Sequence, residues 1–222
     1  GLLAGRTAGV FLDERGQEQV RATGARLAPV PLAAVVSSPL ERCRETADAI
    51  LAQQEGTPDL TVEPAITECD YGSWQGRPLK ELAQEDLWKV VQRHPSAAAF
   101  PGGESLHTMQ TRAVAAIRRL DAEVEAQHGP HAVWAAVSHG DIIKSVLADA
   151  LGMHLDLFQR LSVSPASVSI VRYGSARPDV VAVNTEAGDL AWLRAAPASG
   201  DTQVGGGDSP APAPQAPTSS PS

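Results

Sequence analysis

The stretch that most constrains this fold is Ala132–Gly152, AVWAAVSHGDIIKSVLADALG. Its mostly apolar run Ala132–Val137 suits a strand buried on both faces. Ser138-His139-Gly140-Asp141 comes next, and helical spacing then resumes with Ile142, Ile143, Val146, Leu147 and Ala150 on one face. Gly152 stands where a left-handed cap would close that helix. His139 therefore lies where a strand becomes a helix. In a parallel sheet this is the carboxyl edge, where ligands bind and the helix's first N–H groups point at an anion. A silent, hydrogen-bonded core histidine is the competing reading.

The same alternation recurs upstream. Asp13 is a good N-cap for a helix whose apolar face holds Val20, Ala22, Gly24, Ala25 and Leu27, and which Pro29 and Pro31 stop. A short buried strand, Leu32–Val36, leads into Ser37–Ala47, which opens a helix predicted to reach Gln54. A brief strand at Leu60–Val62 precedes the loop Glu63–Gly76, rich in Gly, carboxylates and aromatics, a composition that often carries function. One helix is expected from Pro78 through Leu82, Leu87, Val90 and Val91, ending before Pro95. After the Pro101-Gly102-Gly103 turn, Leu106, Met109, Ala113, Ile117, Leu120 and Val124 mark the longest helix, whose stripe packs on the sheet. Leu155–Leu161 reads as a short helix, and Ser167–Tyr173 with Val180–Val183 as a hairpin at the sheet edge. Strand and helix in alternation predict an α/β three-layer sandwich, a mostly parallel central sheet with helices on both faces. Residues 1–196 are expected to form this domain, while Gly1–Leu12 reads as loop. From Pro197 onward Pro, Ala, Ser and Gly dominate, and a disordered tail is expected over 197–222.

Composition excludes several functions. A formal charge of −8 gives no electrostatic footprint for nucleic acid or an anionic membrane. Any anionic substrate must be held by a local basic cluster. No apolar run approaches the roughly 20 residues of a membrane span, and no signal-peptide plan opens the chain, so a soluble cytoplasmic protein is expected. Cys43 and Cys69 make no disulfide framework and read as reduced, buried packing residues. There is no nucleotide P-loop, no H-E-x-x-H and no G-x-S-x-G. The remaining histidines, His94, His107, His128, His131 and His154, lack ligand spacing, so neither a metal nor a cofactor is expected.

Three polar clusters, around Arg42, Glu68 and His139, each fall near a strand end, where a parallel sheet brings them to one rim. A guanidinium fork grips phosphoryl oxygens, an imidazole and a helix N-terminus add donors, and a carboxylic acid protonates a leaving alkoxide. That set suits phosphoryl transfer. Without further context, Arg42 with Glu41, Arg44 and Glu45 also reads as a solvated helix face, and Tyr71 and Trp74 as caps on the core.

Four motifs occur in order: S-S-P-L-x-R-x-x-x-T-A at Ser37–Ala47, E-x-D-Y-G-x-W-x-G at Glu68–Gly76, P-G-G-E-S at Pro101–Ser105 and S-H-G-D at Ser138–Asp141. Together, over about residues 4–185, they resemble the histidine phosphatase superfamily, in its phosphoglycerate-mutase-like branch. Leu3–Thr7 and Leu12-x-x-x-Gly16 resemble the segment that follows the family's first strand. The resemblance implies that Arg42 binds the phosphoryl group and that Glu68 is the general acid and base. It implies that His139 stabilises the transferring phosphoryl, and that Arg6, Thr7, Gly140 and Trp74 bind substrate. One departure stands out, because the family's phosphorylated histidine lies in an Arg-His-Gly motif at the end of its first strand, and no Arg-His-Gly occurs here. The expectation is a core truncated at its N-terminus, inactive by itself, from a phosphatase or phosphomutase that works through a phosphohistidine. The alternative is a non-catalytic phosphate-ester-binding protein that has lost the nucleophile.

Overall fold

The computed structural model describes residues 1–174 and 176–188. Helix α1 spans Glu14–Leu27, with Asp13 capping it by accepting the Gly16 N–H. Strand β1, Leu32–Ser37, runs into α2, Glu41–Leu51. The order continues with β2 (Asp59–Val62), α3 (Leu79–Leu82), α4 (Asp86–Arg93), α5 (Leu106–His128), β3 (Val133–Val137), α6 (Gly140–Ala150), β4 (Val168–Arg172) and β5 (Asp179–Thr185), with short 3-10 turns between several of them.

Strand order is β2-β1-β3, all parallel, as the alternating pattern predicts. Successive β1 side chains serve opposite faces. Val35 joins Cys43, Ala47 and Ile50 of α2, whereas Val36 joins the larger cluster built on Leu106, Met109, Ala113, Ile117 and Ile142 of α5 and α6. The sheet is thus a middle layer between helices. At the end of α6, Gly152 adopts φ +66°, with Gly152 N–H bonding to Asp149 and Met153 N–H to Ala148, the Schellman closure that its position predicts.

Several expectations need correction. The β3 strand is not buried on both faces: it is an edge strand of the three-stranded sheet, and Val133 is 47% exposed. Helix α2 ends at Leu51 because the Gln54 side chain serves another purpose, bridging the Leu27 carbonyl and the Leu32 N–H. The single helix expected after Pro78 is two, broken where Glu85 takes extended backbone and turns its carboxylate to the Trp74 indole and Arg77. In α1, Thr23 is buried rather than Ala22 and Ala25, and it donates to the Ala166 carbonyl. The β4–β5 hairpin forms, but as a separate two-stranded sheet, tied to α1 by this bond and by Arg26 on Thr185. Helix α6 is buried well beyond its apolar stripe, taking in Asp141, Lys144 and Ser145. Residues before α1 are not bare loop: Leu3 is buried and pairs through its backbone with Gly76 and Arg77. The expected tail over 197–222, and the end of the domain at 196, lie outside the described residues.

Candidate functional site

The carboxyl ends of β1 and β3 lie side by side, with Ser37 paired to Val137 and the Ser38 N–H bonded to the Val137 carbonyl. The segments that leave these two strands therefore share one rim. His139 is the N-cap residue of α6, and Arg42 occupies the first turn of α2. Their side chains touch: Arg42 Nη2 donates to His139 Nδ1 at 3.1 Å and to the Gly5 carbonyl at 2.9 Å. A guanidinium can only donate, so Nδ1 is an acceptor and the imidazole proton sits on Nε2. Nε2 then donates to Ser38 Oγ at 2.7 Å. The Cys43 sulfur lies 3.5 Å from the same nitrogen. His139 is 6% exposed, and burial, followed by the charges of Arg42, Arg112 and Arg6, holds its pKa well below the ordinary value. It is a neutral imidazole in this state.

Glu68 comes to the same rim from the loop after β2. Ser138 Oγ donates to the Ile66 carbonyl at 2.7 Å, pinning the root of that loop to the end of β3. Arg6 Nε and Arg112 Nη2 both donate to the Glu68 carbonyl, at 2.7 and 3.1 Å. Glu104 holds those two arginines through its carboxylate and also accepts the Asp70 N–H. Burial pushes the Glu104 carboxyl up, but the hydrogen bonds from Arg112 and Asp70 and the charges of Arg112 and Arg6 outweigh it and keep Glu104 ionised.

The Glu68 side chain is 1% exposed. Its Oε1 accepts the Cys69 N–H at 2.9 Å, and its Oε2 is buried with no hydrogen-bond partner among the described residues. Burial first and the charge of Asp141 second raise its pKa to about 8, against the Cys69 N–H, Arg42 and Lys144. Glu68 is accordingly a neutral acid near pH 7. Arg42 Nη1 is likewise buried without a partner. Leaving a charged donor buried and unmatched costs about 1–3 kcal/mol or more, so the pair marks a place suited to a ligand that accepts from both. Arg6, Arg42 and Arg112 all act on His139, a local group of cations in a chain of net charge −8. Among the described residues no three His, Cys, Asp or Glu side chains are grouped to hold a metal ion.

Arg42, Glu68 and His139 are thus brought together, with Gly140 opening α6 beside His139. Arg6 is present but is engaged by Glu68, Glu104 and Asp70. Thr7 is half-buried and donates its N–H to the Ala4 carbonyl. Trp74 corrects its expected role: it is 1% exposed, stacks on Trp88, meets Phe100 edge-on and gives its indole N–H to Glu85, so no face is left for substrate. Sequence reasoning missed Arg112, whose only signal is a cation flanking the buried stripe of α5 one turn after Met109.

Comparison with known proteins gives a consistent picture. The family profile of the histidine phosphatase superfamily, branch 1, matches residues 2–186. The chain is 29% identical to phosphoserine phosphatase 1 of Hydrogenobacter thermophilus over 176 residues, 78% of this chain and 80% of that protein. It is 28% identical to the probable phosphoglycerate mutase GpmB of Salmonella choleraesuis over 164 residues, 73% of each. It spans 43% of the length of mycobacterial relatives to which it is 34% identical. Among solved structures, the mycobacterial glucosyl-3-phosphoglycerate phosphatase Rv2419c superposes with a TM-score of 0.72 at 22% identity, covering 83% of this chain and 91% of that one, a likeness of fold.

Proposed function

The chain belongs to the histidine phosphatase superfamily, branch 1, and from that premise we propose that it is the core of a phosphomonoester phosphatase or phosphomutase acting through a phosphohistidine on a small phosphorylated metabolite. The observation that carries this reading is the pair of buried, unpartnered atoms, Arg42 Nη1 and Glu68 Oε2, beside a neutral His139. A phosphomonoester fits both. One phosphoryl oxygen accepts from Arg42 Nη1, while the bridging ester oxygen accepts the proton that Glu68 carries.

An arriving dianion opposes the burial and the arginine charges that keep His139 neutral. Protonation at Nδ1 then ends its bond to Arg42 Nη2, turns His139 into a second cationic donor, and releases Nη2 for another phosphoryl oxygen. By family resemblance the nucleophile is the histidine of an Arg-His-Gly motif, which the 222 residues do not contain. Its imidazole attacks phosphorus, the ester P–O bond breaks, and the Glu68 proton goes to the departing alkoxide. Water, or a second substrate hydroxyl in a mutase, then attacks the phosphohistidine and gives its proton to the Glu68 carboxylate. The lack of Arg-His-Gly within the 222 residues favours a second reading, a phosphate-ester-binding protein without turnover.

A screen of phosphate esters on the protein expressed from its full reading frame, with acid-quench trapping of phosphohistidine, separates the two. The proposal expects turnover, trapped phosphohistidine, and a loss of roughly two to three orders of magnitude for both Arg42→Ala and His139→Ala. Esters that bind without being consumed favour the second reading. Turnover within about threefold of wild type in either folded variant contradicts the role given to that residue.

A further inference from the structure

Asp141 is the second residue of α6, two positions after His139, and is completely buried. Both of its oxygens are held. Tyr71, from the loop that carries Glu68, donates its hydroxyl to Oδ2 at 2.7 Å, and Lys144, one helical turn on, places Nζ 2.8 Å from Oδ1. Lys144 is itself fixed, donating to Gln159 Oε1 at 2.8 Å and lying 4.8 Å from the centroid of the Phe158 ring. Tyr71 is buried with its ring edge-on to Phe100, and burial, followed by the charge of Asp141, keeps its phenol protonated and hence a donor. A buried ion pair contributes little net stability, since desolvation cancels much of the attraction. Its place directly between the Glu68 loop and the His139 helix gives it another use.

We propose that Asp141 is a positioning residue for Glu68: clamped between Tyr71 and Lys144, it braces the Glu68 loop against the His139 helix and supplies the fixed negative charge beside which Glu68 stays a neutral acid. Asp141 is ion-paired with Lys144 and accepts from Tyr71, and a carboxylate held this way disfavours a second negative charge on the buried Glu68. Glu68, with one backbone N–H for Oε1 and no partner for Oε2 among the described residues, keeps its proton. The charged groups acting on Glu68 from other elements are Asp141, which favours the neutral form, and Arg42 and Lys144, which oppose it. This assignment rests on the reading of Glu68 as the acid.

The test is Asp141→Asn in the full-length protein, because the amide keeps the shape and an acceptor for Tyr71 while removing the charge. Titration of the Glu68 carboxyl carbon by NMR reports its protonation whether or not any ester is turned over. The midpoint is expected to fall from near 8 towards the ordinary carboxylate range, and the basic limb of the kcat/KM profile on an alkyl phosphate to move down with it. At pH 8 this lowers kcat/KM about tenfold, with little change at pH 5.5. The double variant Asp141→Asn/Lys144→Gln removes both buried charges, so its folding demands no lone buried cation. Its midpoint still falls, Asp141 having the larger influence on Glu68. A Glu68 midpoint that stays in place in either folded variant overturns the proposal. A midpoint that falls supports it even if no phosphate ester is consumed, an outcome that instead counts against the catalytic reading.

Discussion

Glu68 is a carboxylic acid whose unfolded form ionises in the ordinary range, yet whose burial beside Asp141 lifts its folded pKa to about 8. Between those values the native state holds a proton that the unfolded chain has released. Stability contributed by this site is therefore complete below pH 4.5 and is lost as pH rises through about 8. His139 has the opposite sense, since its lowered pKa weakens the fold as pH falls below the ordinary histidine value. Glu68→Gln removes the first dependence and leaves the second. Urea denaturation of wild type and variant from pH 5 to 9 is expected to show wild-type stability falling relative to Glu68→Gln as pH increases. A gap independent of pH would mean that Glu68 is ionised in the native state. At this scale the motifs led to Arg42, Glu68 and His139, which the fold brings to one rim. The sequence was not legible for Trp74, because an aromatic beside a functional loop serves substrate or core equally well until its neighbours Trp88, Phe100 and Glu85 are placed.

Among the elements, the loop that carries Glu68 depends on a seam with the Pro101–Ser105 turn. Ser73 N–H bonds to the Pro101 carbonyl and Glu104 N–H to the Asp70 carbonyl, each at 2.9 Å. The two backbones approach so closely that a Cβ on Gly72 would lie 2.2 Å from the Pro101 oxygen, and one on Gly103 2.2 Å from the Asp70 oxygen. Gly72 also has φ +51°. Gly72→Ala must open the seam as well as bear the backbone strain, and is expected to destabilise by more than about 2 kcal/mol. Gly102→Ala, at φ +74° with nothing near its Cβ, carries the strain alone, about 1 kcal/mol. Denaturant midpoints at constant slope compare them, and equal losses would show that the close approach is unimportant. The P-G-G-E-S string was visible in sequence, but its partner was not, since the contact joins segments about thirty residues apart with no shared periodicity. For the same reason Pro78 marked the start of α3 correctly, while the break before α4 at Glu85 depends on Trp74 and Arg77 and escaped local reading.

Across the whole molecule, the alternation of short apolar runs with amphipathic spacing predicted the three-layer arrangement, and the parallel β2-β1-β3 sheet agrees with it. Hydrophobic period reports which faces must be covered, and that is a local property of the chain. Period does not report how thoroughly each face is covered, hence the exposed Val133 on β3 and the unforeseen burial of Asp141 and Lys144 on α6. Nor does it report polar wiring over long separations. Arg6 and Arg112 meet at the Glu68 carbonyl from 62 and 44 residues away. The central claim is that this wiring presents Glu68 as a neutral acid to the leaving oxygen of a phosphomonoester. The most direct test compares Glu68→Gln with wild type in the full-length protein on an alkyl phosphate and on nitrophenyl phosphate, with the chemical step shown to limit both rates. A poor leaving group needs the proton and a good one does not, so the account predicts a loss of roughly two orders of magnitude or more on the alkyl ester and a far smaller one on the aryl ester. Equal losses on the two esters would contradict it.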